Sequence, residues 1–287
     1  MTALNAELLD LPELDFASAD YAARPFQTLA GWAQRWKIAR SRRGVEILDY
    51  DLCRRAILDR RLGTGHPKLM DVLGLPEGRP LEYKRNSISF FNRGDRRRDL
   101  RRPMTRLMSE GGIEAFRADI IATVRRVVDA VPTDQPVDLI TALCDPIPSA
   151  IYCYWIGAPF EDADFVARTS HSVQQVHTRN PDHTPEIIAA FEALIDYADK
   201  HIAARREHLG DDLLSDMIRA EQDGQLDGDD LRNWVIKLAE ANTDNSSHQI
   251  ALAIIELASR PKVWARLHDD PALVPQAVRE VMRFHPR

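Results

Sequence analysis

Leu231 to Ser259 runs for 29 residues without a glycine or proline, and no other feature constrains this chain as much. At 1.5 Å rise per residue it predicts a helix of about 40 Å. In a chain of 287 residues, a helix of that length crosses the centre of a domain. Val235, Ile236 and Leu238 precede its middle, and Ile250, Leu252, Ile254 and Ile255 follow it. Between them lies a polar run, Asn242-Thr243-Asp244-Asn245-Ser246-Ser247-His248-Gln249. Polar groups inside a buried helix must find partners or water, because an unpaired one costs several kcal/mol. Asn, Ser and Thr also compete for backbone hydrogen bonds and bend helices. The run is therefore a structural hydrogen-bond cluster, a solvated face, or a place for proton delivery at mid-domain.

The surrounding pattern is helical as well. Apolar residues recur at helix spacing over 113–131. Further helices are predicted at about 146–156, 161–178, 185–208, 212–222 and 274–284, and Pro261 ends the long helix and starts another. Asp49 or Asp51 caps a short helix ending near Leu58. Lys37-Ile38-Ala39 and Val45-Glu46-Ile47-Leu48 flank Ser41-Arg42-Arg43-Gly44 as a β-hairpin. The stretch 63–80 is rich in glycine and proline and reads as loop. Phe26, Trp32 and Trp36 read as packing residues. With no internal repeat and no low-complexity linker, residues 1–287 read as one mainly α domain, or most of one.

The net charge of -6 excludes a generally basic nucleic-acid binder. Residues 93–106 nevertheless hold seven arginines against two aspartates. They form either a docking patch for an acidic electron-donor protein or a solvated helix face; the interleaved aromatics of a nucleic-acid site are missing. No window approaches about 18 consecutive apolar residues, so no membrane span is expected. The N-terminus has no signal-peptide pattern. Cys53, Cys144 and Cys153 have no metal-ligand spacing and read as free thiols in a reducing cytoplasm. The histidines at 171, 177, 183, 201 and 208 likewise lack an H-x-x-x-H or H-E-x-x-H spacing.

Ala241-Asn242-Thr243-Asp244-Asn245 resembles the central-helix motif A-G-x-[D/E]-T of the cytochrome P450 monooxygenases. Asp269 through Val278 looks like the run that leads into the E-x-x-R helix of bacterial members, here Glu280 and Arg283. Alone, E-x-x-R is a weak pattern; after this run and this helix it is specific. Leu143 to Pro159 resembles the family helix that ends in a G-x-P turn, and Asp211-Asp212-Leu213-Leu214 resembles its D-D-L-L segment. Gly94 to Pro103 is similar to the helix that carries H-x-x-x-R. The resemblance covers about residues 20–287. It implies a mainly α cytochrome P450 fold with a small N-terminal hairpin, running as far as its E-x-x-R helix.

The resemblance further implies a haem (heme) cofactor, a small apolar organic substrate and a ferredoxin-type electron donor. Thiolate ligation favours O–O cleavage, and the protein supplies position and proton delivery. Asp244, with Asn245 or Ser246, would manage protons. Ala241 and Asn242 would line the cofactor, Arg97 and Arg101 would hold its propionates, and Glu280 with Arg283 would be structural. Departures are visible: Arg97 stands at the usual His, Asn242 at the usual Gly and Asn245 at the usual Thr. Nothing matches F-x-x-G-x-x-x-C, so none of the three cysteines is nominated as iron ligand. On its own, this length of chain is expected to be inactive and to leave apolar surface uncovered. The alternatives are a haem-free relative that binds and activates a partner enzyme, or an inactive remnant.

Overall fold

A computed structural model describes residues 10–42, 44–59, 61–62, 73–89 and 94–285, without the side chain of Arg106. It divides into two compact units, residues 1–63 and 64–287. In the first unit the hairpin forms as its sequence predicts. Strands β1 (Ile38–Ser41) and β2 (Gly44–Ile47) pair antiparallel with Ile38 opposite Ile47. Gly44 turns at φ 127°, which a residue with a side chain rarely adopts. Asp49 caps α3 (Tyr50–Leu58), its carboxylate accepting from the Leu52 N–H at 2.9 Å. Helices α1 (Ala19–Ala23) and α2 (Pro25–Arg35) precede the hairpin. Trp32 packs with Phe16 and Tyr21, ring centroids 5.4 and 5.8 Å away. Phe26, expected to pack, is 83% exposed.

Helices make up the regular structure of the second unit among its described residues. Its helices are α4 (Arg79–Asn86), α5 (Asp95–Leu107), α6 (Glu110–Glu114), α7 (Arg117–Asp129) and α8 (Pro146–Trp155). Then come α9 (Ala163–Gln174), α10 (Thr184–Glu207), α11 (Leu213–Gln222), α12 (Gly228–Ala258), α13 (Pro261–Asp269) and α14 (Val274–Phe284). The predicted helix over 113–131 is split at Ala115 and Phe116. A π-turn at Ile140–Cys144 leads into α8.

Helix α8 is buried on nearly every side, and α12 packs against α8, α9 and α10. The polar run does not interrupt α12, which stays helical from Gly228 to Ala258. Neighbouring side chains serve its backbone. The Tyr152 hydroxyl donates to the Val235 carbonyl and the Ser170 hydroxyl to that of Ala239, both at 3.2 Å. The Gln174 amide reaches the Glu240 carbonyl at 2.5 Å. Each of these carbonyls thereby accepts a second hydrogen bond beside its intrahelical one.

His201 on α10 is buried against the Tyr197 ring, centroids 4.4 Å apart. Its Nε2 makes no hydrogen bond and lies 3.9 Å from Asp162 Oδ2, an oxygen that already accepts the Tyr197 hydroxyl at 2.9 Å. Burial, then Lys200 and Arg205, push its pKa below the ordinary value, against the opposing pull of Asp162. The unfolded chain therefore takes up this proton first, so stability is full above about pH 6.5 and falls as pH drops below it. Urea midpoints at pH 7.5 and 5.5 check this, and His201→Gln should flatten the dependence.

Candidate functional site

Position along α12 decides which polar side chains reach solvent. Residues 241 and 245 lie one turn apart on the same stripe, and both are exposed. Thr243 and Ser247 face the opposite way and are buried. Among the predicted site residues, Ala241 and Asn245 thus share an open face, with Asp244 on its flank and Ser246 half-buried. Asp244 Oδ1 lies 3.2 Å from His248 Nδ1, and the same imidazole nitrogen lies 2.8 Å from the Asp244 carbonyl. The pair sits at i, i+4, a spacing legible in the sequence. Asn242 turns away from the open stripe: its amide donates to the Pro148 carbonyl of α8 at 2.7 Å.

One residue before the open face, Glu240 ends a cluster that no spacing announces. Lys84 and Glu240 are 3% and 2% exposed, with Lys84 Nζ 2.5 Å from Glu240 Oε1. The Tyr83 hydroxyl donates to Oε2 at 2.7 Å, and Lys237 Nζ lies 3.3 Å from the same oxygen. Burial pushes the Glu240 carboxyl up, but Lys84, Lys237 and the hydrogen bonds outweigh it and hold it at about 2. The pair anchors α4 to α12.

Arg97 and Arg101 share a face of α5. The Arg97 guanidinium donates to the Ile88 carbonyl at 3.1 Å, and Arg101 is exposed. From the same helix Arg96 reaches into the fold to the buried Asp230 carboxylate. Glu280 and Arg283 pair through two hydrogen bonds, 2.7 and 2.8 Å, on the exposed side of α14. They border a groove of about 350 Å3 between the end of α12, α13 and α14. Apolar side chains are uncovered nearby: Trp264 is 51%, Met282 53% and Phe284 58% exposed.

The fold is a helical unit crossed by one long helix that opens to solvent at mid-length. Comparison with known proteins gives its class. A family model described as Cytochrome P450 matches residues 76–286. Luteothin monooxygenase of Streptomyces thioluteus is 30% identical over 279 residues, covering 96% of this chain and 68% of that protein. Nocardicin C N-oxygenase of Nocardia uniformis subsp. tsuyamanensis is 32% identical over 65% of this chain and 46% of its own length. Among solved structures, epothilone D-bound cytochrome P450epoK superposes with a TM-score of 0.81 at 20% identity, covering 94% of this chain and 70% of that one. CalO2 gives 0.80 at 21% identity, covering 95% and 69%. The chain belongs to the cytochrome P450 family and spans about two-thirds of the length of luteothin monooxygenase. Its family is one of haem-dependent oxidoreductases. No helix among the described residues is long and apolar enough to cross a membrane.

The haem implied by the family needs a thiolate, and none of the three cysteines of this chain stands in the family's F-x-x-G-x-x-x-C context. Cys144 and Cys153 are buried, and burial pushes their thiols up to about 11 and about 12, the reverse of what a metal-ligating cysteine requires. Cys53 lies in the first unit, where its Sγ contacts the Ile47 carbonyl at 3.2 Å.

Proposed function

We propose that this chain supplies the substrate- and proton-handling side of a cytoplasmic cytochrome P450 monooxygenase that oxidises a small apolar organic molecule. One observation carries the reading: between Asp230 and Ala251, where the central helix has its buried residues, it opens to solvent at Ala241 and Asn245, the positions where the family motif falls. In this reading Asp244 exchanges protons with His248, and Asn245 or Ser246 holds the next hydrogen-bonded atom. Ala241 lines the cofactor side, whereas Asn242, expected there from the sequence, is held on α8 by the Pro148 carbonyl. Arg97 and Arg101 are the cations for its propionates, and Glu280 with Arg283 braces α14. The arginine-rich face of α5 is the docking surface for a ferredoxin-type donor. No oxygen-activating step is assigned to these residues, since no cysteine among them stands in the family's haem-binding motif.

Purified chain with added haem, reduced under carbon monoxide, should give no Soret band of the thiolate-ligated type. The same chain with the remaining third of luteothin monooxygenase joined after Arg287 should give it. A band from the 287 residues alone would overturn the exclusion of their thiols. No band from the extended chain would overturn the monooxygenase reading in favour of a haem-free helper that binds a partner enzyme.

A further inference from the structure

A crevice of about 610 Å3 is bordered by α7, the π-turn, α8 and α9. Pro146, Phe160, Ala163 and Ala167 give it an apolar lining. Its charged residues are three carboxylates, Asp145, Glu161 and Asp164, and two guanidiniums, Arg126 and Arg168. Both guanidiniums are committed. Arg126 pairs with Glu161 at 2.8 Å, its Cζ 3.7 Å from the centroid of the Phe160 ring, and Arg168 pairs with Asp164. Asp145 is 8% exposed, and its partners are the Ser247 hydroxyl on α12 and, at 2.9 Å, His171 Nε2, a cation only when protonated. Among the described residues, no lysine or arginine pairs with it.

A carboxylate buried without a strong cation is costly, and it is stabilised by any cation that can reach it. It offers about four lone-pair positions, of which the hydroxyl and the imidazole use two. The π-turn that delivers Asp145 is itself a rare element that recurs at functional sites. We propose that this crevice binds a small organic ammonium ion, its charged nitrogen on the Asp145 carboxylate and its apolar body against Phe160 and Pro146. Through Ser247 the same carboxylate holds the polar run of α12, so the bound cation stiffens the central helix. The site is separate from the monooxygenase reading and stands without it.

Calorimetric titration of the 287-residue chain with benzylammonium chloride, and with benzyl alcohol as a neutral shape match, tests the proposal. The ammonium should bind saturably at one site, and the alcohol at least about ten-fold more weakly, as loss of a charge-assisted bond implies. Asp145→Asn should lower ammonium affinity by a similar factor. Hydrogen exchange of the 243–249 amides should slow with ammonium in the wild type and not in Ser247→Ala. No binding by the wild type, equal binding of both probes, or undiminished binding by Asp145→Asn would each overturn the site. Should that variant fail to fold, the comparison of the two probes on the wild type still decides.

Discussion

Glu240→Ala should lower the unfolding free energy of the chain by about 3–5 kcal/mol, the usual cost of removing one partner of a buried ion pair. Deletion leaves the Lys84 ammonium enclosed beside the Phe191 ring, 4.6 Å from its centroid, with Lys237 still close and the Tyr83 hydroxyl without an acceptor. A cation–π contact of that kind offsets only about 1–2 kcal/mol. Removing both charges together should be far milder: Lys84→Met with Glu240→Leu should recover most of the loss, because the large term is the unpaired buried charge. Urea unfolding of the single and double variants decides it. A single-variant loss below about 1 kcal/mol, or a double variant as damaged as the single, would sink the argument. The pH dependence follows in sign. Glu240 ionises more easily folded than unfolded, so its stabilisation is complete above the ordinary glutamate pKa of about 4.3 and disappears as pH falls towards about 2. That window lies below the one set by His201, so acid unfolding should show two separate regions of loss.

Gly157→Ala should be nearly as damaging, at roughly 3 kcal/mol, from left-handed backbone strain and a disturbed ion pair together. Gly157 closes α8 with φ 64°. A Cβ there would lie 1.3 Å from Arg205 Nη2 and 2.7 Å from Asp212 Oδ2. Those two side chains hold one another at 2.7 Å, and Asp212 caps α11 by accepting from the Ser215 N–H at 2.8 Å. An added methyl must displace the guanidinium, and with it a carboxylate that serves two helices. Gly224 supplies the control. It has a similar φ of 71° with nothing near its missing Cβ, so Gly224→Ala should cost only the backbone term, about 1 kcal/mol. Equal melting losses for the two variants would show that Arg205 simply swings aside.

These two sites differ in how much of them a reader of the sequence sees. Gly157-Ala158-Pro159 is a visible helix stop, and the structure ends α8 there. The Arg205 and Asp212 side chains packed over it are not visible, because they arrive from the end of α10 and the cap of α11. Lys84 and Glu240 stand 156 residues apart, one in a segment to which the sequence assigns no element and the other in the long helix. Asp244 and His248 were open to inference from their spacing. Asp145 and His171 were not, since a chain fold and a π-turn bring them together.

Periodicity, caps and breakers are local, and they were enough to determine the helices from 146 onward and the hairpin; the motif on the central helix was legible only through its resemblance to a known family. Hydrogen bonds within a helix join residues four apart, so their pattern is written into short windows. The tertiary structure alone decided which polar groups of α12 are open and which are spent on neighbours. It turned Asn242 onto α8, left Ala241 and Asn245 uncovered, buried Glu240 against Lys84, and joined Ser247 to Asp145. Such contacts depend on where distant helices cross, and their energies come from burial and from charges excluded from water, neither of which a single stretch of sequence contains.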